Sequence, residues 1–274
     1  MRGGVQKKTI NVGASASARG GRSSGEERFV VFLCSLLLLT FTLTASSCGK
    51  TKKSKGGSSV VTDCVLPDDQ ANSLQGKWTE TPVKVTFHQG DFDGGEVAAI
   101  QAAGATWNNF FMASKGKEIL DISGATSTVT QMSPQCTGNT IADGTIIYKR
   151  NSWTRSANAV AVTTFCTAAS SDGSVPRMYN AMMEMNNKDF WDGSIKQPDL
   201  ESIAVHELGH LIGLDHSCGN LRSGLPNVSC PDSNSSDALL NTVMFPTVFF
   251  DGSGYGEVKR TLDSNDQGRA NCLY

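Results

Sequence analysis

The stretch Ala204–Ser217 constrains this chain more than any other. It reads Ala-Val-His-Glu-Leu-Gly-His-Leu-Ile-Gly-Leu-Asp-His-Ser and holds three of the four histidines found in 274 residues. His206 and His210 are four apart, which on an α-helix puts them about 40° apart on one face and roughly 6 Å along the axis. His216 follows His210 by six positions, out of phase with that face. The helix must therefore stop and the chain turn back, and Gly213 is the residue that tolerates the positive φ of such a turn. Two imidazoles on the helix and a third on the returning chain can hold one Zn²⁺, at Zn–N distances of about 2.0–2.1 Å, with a fourth tetrahedral position left for water. Glu207 is placed to flank that metal without ligating it, where a general base sits. The alternative is a closed structural site with Cys218 as fourth ligand, which would leave Glu207 without a role.

His206-Glu207-x-x-His210-x-x-Gly213-x-x-His216 resembles the long zinc motif of the metzincin metallopeptidases. Thr242-Val243-Met244-Phe245-Pro246 resembles the Met-turn of that clan, and Ser217 after the third His is similar to the matrixin branch. The resemblance is specific over Leu200–Pro246 and weaker over Lys77–Tyr274. It implies an α+β, zincin-like fold: a twisted mixed sheet with two long helices in an upper subdomain, and past Gly213 a small irregular lower subdomain ending in a short helix. It further implies one catalytic zinc, protein or peptide substrates, Met244 as a hydrophobic floor under the ligands, and Leu240–Gly254 as one wall of the primary specificity pocket. Phe245 stands where many relatives have Tyr, so no Tyr oxyanion donor is expected there. A non-catalytic surface adhesin or scaffold on the same fold is the competing reading, and the intact Glu207 speaks against it.

Met1–Arg28 is polar and basic, and Phe29–Ala45 is then apolar and uncharged for 17 residues. This order resembles a secretory leader. Ala45-Ser46-Ser47-Cys48 resembles a bacterial lipobox, which makes residues 1–48 a signal peptide ending in the acyl-acceptor Cys48 and predicts an exported, membrane-anchored lipoprotein. Ordinary cleavage to a secreted form and an uncleaved anchor are the alternatives, since 17 residues is the lower limit for spanning. Residues 49–76 open on Lys, Gly and Ser and read as a flexible tether, and residues 77–274 as the domain. From Gly49 onward 18 Lys and Arg stand against 24 Asp and Glu, a balance near −6. That excludes a nucleic-acid binder. A monomer is expected.

Within the domain, Val83, Val85 and Phe87 alternate as a strand, and the acidic turn Gln89–Gly95 that follows offers Asp93 or Gly94 as a helix cap and is a possible Ca²⁺ site. Val97, Ile100, Trp107 and Phe111 give one helix face, with Gly104 leaving a gap for a close neighbour. Ile119–Ile122, Thr145–Tyr148, Ala159–Phe165 and Ala181–Asn186 read as strands, the last expected by resemblance to edge the cleft and pair with extended substrate. Pro198 or Asp199 opens the zinc helix, Gly209 inside it marks close packing, and Ser264-Asn265-Asp266-Gln267 opens a C-terminal helix. His88, outside the motif, reads as a solvated surface residue. Six cysteines remain past Cys48 and suggest three disulfides, with Cys218–Cys230 closing the loop after His216 and Cys64 also paired. Cys64-Val-Leu-Pro67 only faintly resembles the matrixin zymogen switch.

Overall fold

The computed structural model describes residues 5–15 (main chain only), 60–66, 74–136, 145–170, 175–191, 193–219, 229–233, 235 and 237–274. The apolar stretch at Phe29–Ala45, Cys48 and the first part of the tether lie outside the described residues. No described helix is long and apolar enough to cross a membrane.

Nine strands and three α-helices are found among these residues. In chain order they are β1 (Val5–Ser15), β2 (Lys77–Trp78), β3 (Val83–His88), α1 (Gly94–Lys115), β4 (Leu120–Asp121), β5 (Thr126–Ser127), β6 (Thr145–Arg150), β7 (Ala159–Ala168), β8 (Arg177–Asn186), α2 (Leu200–Leu211), β9 (Thr247–Phe249) and α3 (Ser264–Ala270). The sheet runs β4-β3-β6-β8-β7-β1-β9, with β5 beside β3 and β2 beside β8. β3, β6 and β8 are parallel, and β7 enters antiparallel to β8. The curled mixed sheet, its helices and the irregular region after α2 form a matrixin-like, metzincin fold of the α+β kind that the sequence predicts.

α1 begins on a capping box: the Asp93 side chain accepts from the Glu96 N–H, and Glu96 accepts from the Asp93 N–H. Ile100, Trp107 and Phe111 are fully buried on its inner face. A Cβ on Gly104 would overlap Ile122, so the gap in that face is where the chain after β4 packs. Trp107 Nε1 donates to Val205 O at 2.9 Å, and the Asn108 side chain bonds both Ile119 and Leu120, tying α1 to α2 and to β4. The last turn closes on Gly116 at φ 69°.

Four expectations need correction. β8 is interior, flanked by β6 and β7, so it cannot edge the cleft; β7 is the antiparallel strand on that side. The packed domain starts upstream of Lys77: Leu74 bridges Leu214, Val65 N–H donates to Gly268 O, and Cys64 is bonded to Cys272. α3 opens one residue earlier than read, on a box made by Asp263 and Asp266, because a carboxylate rather than the Ser264 hydroxyl takes the free amides. Val5–Ser15, read as part of a leader's basic opening, is a strand of the sheet.

Candidate metal centre and cleft

α2 starts at Asp199, whose carboxylate accepts from the Ser202 N–H at 3.0 Å and its hydroxyl at 2.6 Å, and is gripped by Arg260. Burial by itself would raise the Asp199 pKa. The Arg260 and Ser202 hydrogen bonds outweigh it and hold the carboxyl below its usual range. The helix is buried from Ser202 to Leu211. It ends at Ile212, and Gly213 takes φ 113° with its Cα against the main chain of Gly76, where any side chain would overlap a carbonyl. The chain then returns and sets His216 beside the two helical histidines.

The three imidazoles face one another with ring centroids 4.6–5.2 Å apart. Their nearest ligand atoms all lie within 4.8 Å of one another, and this is the group of side chains able to hold a metal found among the described residues. His206 Nδ1 bonds Val243 O at 2.6 Å and His210 Nδ1 bonds Leu214 O at 2.8 Å. A carbonyl only accepts, so both Nδ1 atoms carry the proton and both Nε2 atoms present a lone pair. Those Nε2 atoms lie 3.0 Å apart. Two lone pairs converging at that distance need a cation between them, and two tetrahedral ligands of one zinc would sit ~3.3 Å apart. Burial, with His216 adding to it, holds the His206 pKa well below the ordinary imidazole value, which keeps the ring neutral as a ligand must be. The residues present therefore fit a zinc ion.

Glu207 is fully buried. Its Oε2 accepts from Thr163 Oγ1 at 2.5 Å, and its Oε1 has no hydrogen-bond partner among the described residues. Burial pushes its pKa up to about 8, against the smaller opposing effect of Thr163. A divalent cation beside it would favour the carboxylate instead.

Met244 is fully buried, and a Cβ added to Gly209 would overlap its sulfur and press on Trp107. The missing side chain at Gly209 is thus the space that admits Met244 against α2. The turn that carries Met244 is held by long-range contacts that no local pattern in the sequence announces. Asp266 accepts from the Val243 N–H at 2.9 Å and the Met244 N–H at 3.3 Å, and buried Arg269 lies 3.5 Å from the same carboxylate while donating to Asp215 O. Ser217 N–H donates to Met244 O, and its hydroxyl meets Thr242. Asp215 receives the His216 N–H at 2.9 Å and the Gln75 side-chain amide. Of these, Asp266 had a local signal only as part of the capping pattern Ser264-Asn265-Asp266-Gln267. Asp266 and Thr163 act over long sequence separations that no spacing reveals.

Cys218 is bonded to Cys230 and Cys136 to Cys166, so Cys218 is not a metal ligand and Cys64 is committed to Cys272. The acidic turn before α1 has its carboxylates engaged: Asp91 pairs with His88 and accepts from Lys149 N–H, while Asp93 caps α1. His88 is accordingly half-buried and paired, resting on the Tyr148 ring at 5.0 Å, rather than solvated. Beside His206 a cavity of about 20 Å³ is lined by Ile203, Val243, Phe245, Val248, Glu257 and Lys259. Phe245 contributes a buried ring to it and no hydroxyl.

Residues 100–225 match the family model described as Matrixin, a peptidase family. No curated protein matches the chain. The matrixin match spans α1 to the region just past His216 and thus covers all three histidines and Glu207. It stops short of Met244. The match supports a matrixin-like zinc metallopeptidase domain.

Proposed function

We propose that this matrixin-like domain is a zinc-dependent endopeptidase with Glu207 as its general base. The observation that supports it most is the pair of converging Nε2 lone pairs on His206 and His210, 3.0 Å apart, with a buried carboxylate on the intervening turn of the same helix. His216 completes the ligand set. When bound, zinc supplies a Lewis acid for the scissile carbonyl and lowers the pKa of its water toward roughly 7. The chain's own residues do the rest. Thr163 fixes one oxygen of Glu207 and leaves the other to take a proton from water and pass it to the leaving amine. Val243 O and Leu214 O hold the two helical imidazoles in the tautomer that ligates. Met244 and Trp107 exclude water from beneath them.

The test separates chemistry from ligation. Glu207→Ala should keep one zinc per chain and stay folded while peptide hydrolysis falls by at least the ~10²–10⁴ typical of general acid–base catalysis. His210→Ala should lose zinc as well as activity. Zinc-loaded wild type that cleaves no peptide spared by Glu207→Ala would return the chain to the scaffold reading.

We also infer an exported, lipid-anchored protein, from the leader-like residues 1–48 and Cys48. The three disulfides support it, because such bonds persist in oxidising compartments. Mass spectrometry should find an acylated Cys48 at the mature N-terminus in a bacterial host, and an unmodified Cys48 within an intact leader would end the idea.

A further inference from the structure

Gly213, Leu214 and Asp215 connect the end of α2 to His216 and touch two of the three histidines. Leu214 O accepts the His210 Nδ1 proton at 2.8 Å, and Asp215 Oδ1 accepts the His216 N–H at 2.9 Å. Past the end of a helix such a segment has no hydrogen-bond ladder of its own and is fixed by what packs on it. Its partner comes from far upstream. Leu74 forms an antiparallel bridge with Leu214, and the Gln75 N–H donates to Gly213 O at 2.7 Å. The Gln75 side-chain amide donates to Asp215 Oδ2, across 140 positions. The Gly76 carbonyl lies against the Cα of Gly213, an approach that only a glycine admits. Trp78 Nε1 then donates to Leu211 O at 2.7 Å, one of the carbonyls left over at the end of α2. Gln75 is 1% exposed and Asp215 3%, so the amide–carboxylate contact is made out of water.

We propose that Gln75 is a positioning residue for the metal centre: its side-chain amide holds the Asp215 carboxylate, and Asp215 in turn sets His216. The proposal rests on the zinc reading of the three histidines. His206 and His210 are placed by one helix, and a carbonyl fixes each ring. His216 reaches them on the returning chain, so its place follows that of Asp215. One Asp215 oxygen is on the His216 amide and the other is on Gln75, which stops the carboxylate from turning. Arg269 Nη1 holds Asp215 O at 3.0 Å from the α3 side, so the segment is gripped between the upstream chain and the C-terminal helix. Without Gln75 a buried carboxylate loses a donor and is free to rotate off the His216 amide, at the cost of a missing buried hydrogen bond. The end of the stretch read as a tether is thereby part of the metal centre.

The experiment uses the full chain. Gln75→Ala should bind zinc about 10–100-fold more weakly than wild type in competition with a chromophoric chelator, the range found for residues that orient metal ligands. In the metal-free chain the His216 amide should exchange its hydrogen faster. With Co²⁺ in place of zinc, the visible absorption that reports ligand geometry should change shape. Asn108→Ala, which unties α1 from β4, is the control for lost stability alone. It should lower the urea midpoint and leave zinc affinity and the Co²⁺ spectrum as in wild type. Gln75→Glu sets two carboxylates together and should bind zinc no better than Gln75→Ala. The double variant Gln75→Glu/Asp215→Asn exchanges amide and acid, keeps an oxygen for the His216 N–H, and should recover most of the affinity. If Gln75→Ala does not fold, the double variant decides. Wild-type zinc affinity and Co²⁺ spectrum in Gln75→Ala, or no recovery in the double variant, would overturn the proposal. The peptidase reading would survive that result as long as Glu207→Ala keeps zinc and loses hydrolysis. Wild type that binds no zinc would overturn both.

Discussion

At the scale of single residues the site depends on where side chains are absent as much as on where they are present. Gly209 to Ala should help a bare helix by about 1 kcal/mol. Here the added methyl meets the Met244 sulfur and the Trp107 ring, so overpacking of about 1–3 kcal/mol should win. Urea unfolding of Gly209→Ala should show a net loss, and an unchanged midpoint would mean that Met244 is not seated where described. Glu207 gives a pH prediction for the metal-free chain. Its pKa stands at about 8 in the fold and 4.5 without it, so between those values the folded chain binds more protons than the unfolded one. The Glu207 contribution to stability must then fall as pH rises from 4.5 to 8. Glu207→Gln, which has no charge to bury, should lose that slope in denaturation series run with chelator across the same range. Thr163→Val should lower kcat with little change in KM, because it frees the base without touching substrate, and Thr163→Ser should restore it.

At the scale of elements, α2 is fixed at both ends by different means. Its start depends on the Asp199 cap, and Asp199→Ala should cost about 1 kcal/mol. Because that carboxyl titrates below its ordinary range, the contribution is complete above the unfolded value of 3.8 and is lost as pH falls through the lower folded one. Acid unfolding of wild type and Asp199→Ala should therefore begin to converge below pH 3.8 and coincide only below the lower folded value. The far side of the site depends on α3. Asp266 gathers the amides of Val243 and Met244, and Val243 O in turn holds His206. Asp266→Ala leaves those amides and the Arg269 guanidinium buried without their carboxylate, a loss of about 3–5 kcal/mol. It should also weaken zinc retention, measured by competition with a chromophoric chelator, although Asp266 touches no ligand.

At the scale of the whole molecule, covalent links clamp the parts that the sheet does not. Cys218–Cys230 closes a loop of 12 residues after His216, and Cys64–Cys272 ties the chain before the sheet to α3 across 208 positions. Chain entropy assigns about 3 kcal/mol to the first and about 5 kcal/mol to the second. Replacing either pair by Ser should lower the denaturation midpoint in that order. The Cys218/Cys230 variant should in addition lose zinc affinity, since its loop hangs from the third ligand. The pocket beside His206 holds little more than one water at about 20 Å³, and Lys259, whose ammonium lies 3.0 Å from Glu257, is part of its lining. Lys259→Ala should widen that pocket, and if it receives a substrate side chain, cleavage of a peptide library should shift toward larger side chains.

What the chain alone determined is local in sequence. A four-residue histidine spacing, a glycine three residues past the second histidine and a start at Pro198 or Asp199 describe one helix and one turn, so the cluster of three histidines, the glutamate beside it and the end of α2 could be read before any contact was known. Gly104 and Gly209 announced close packing for the same reason: a missing side chain on a buried face has few other uses. Only the tertiary structure decided that β8 lies inside the sheet, between β6 and β7. β7 and β8 are both buried along nearly their whole length, and burial on both faces erases the alternation that would tell an edge from an interior strand. It also decided that Thr163 meets Glu207 and that Asp266 holds the Met244 turn, contacts spanning 44 and 22 positions respectively. Above all it decided the place of Val5–Ser15. Composition shows those residues as polar and basic, but β pairing is made by main-chain groups that every residue carries, so a strand partner leaves no mark in the side chains and appears only when the sheet closes around it.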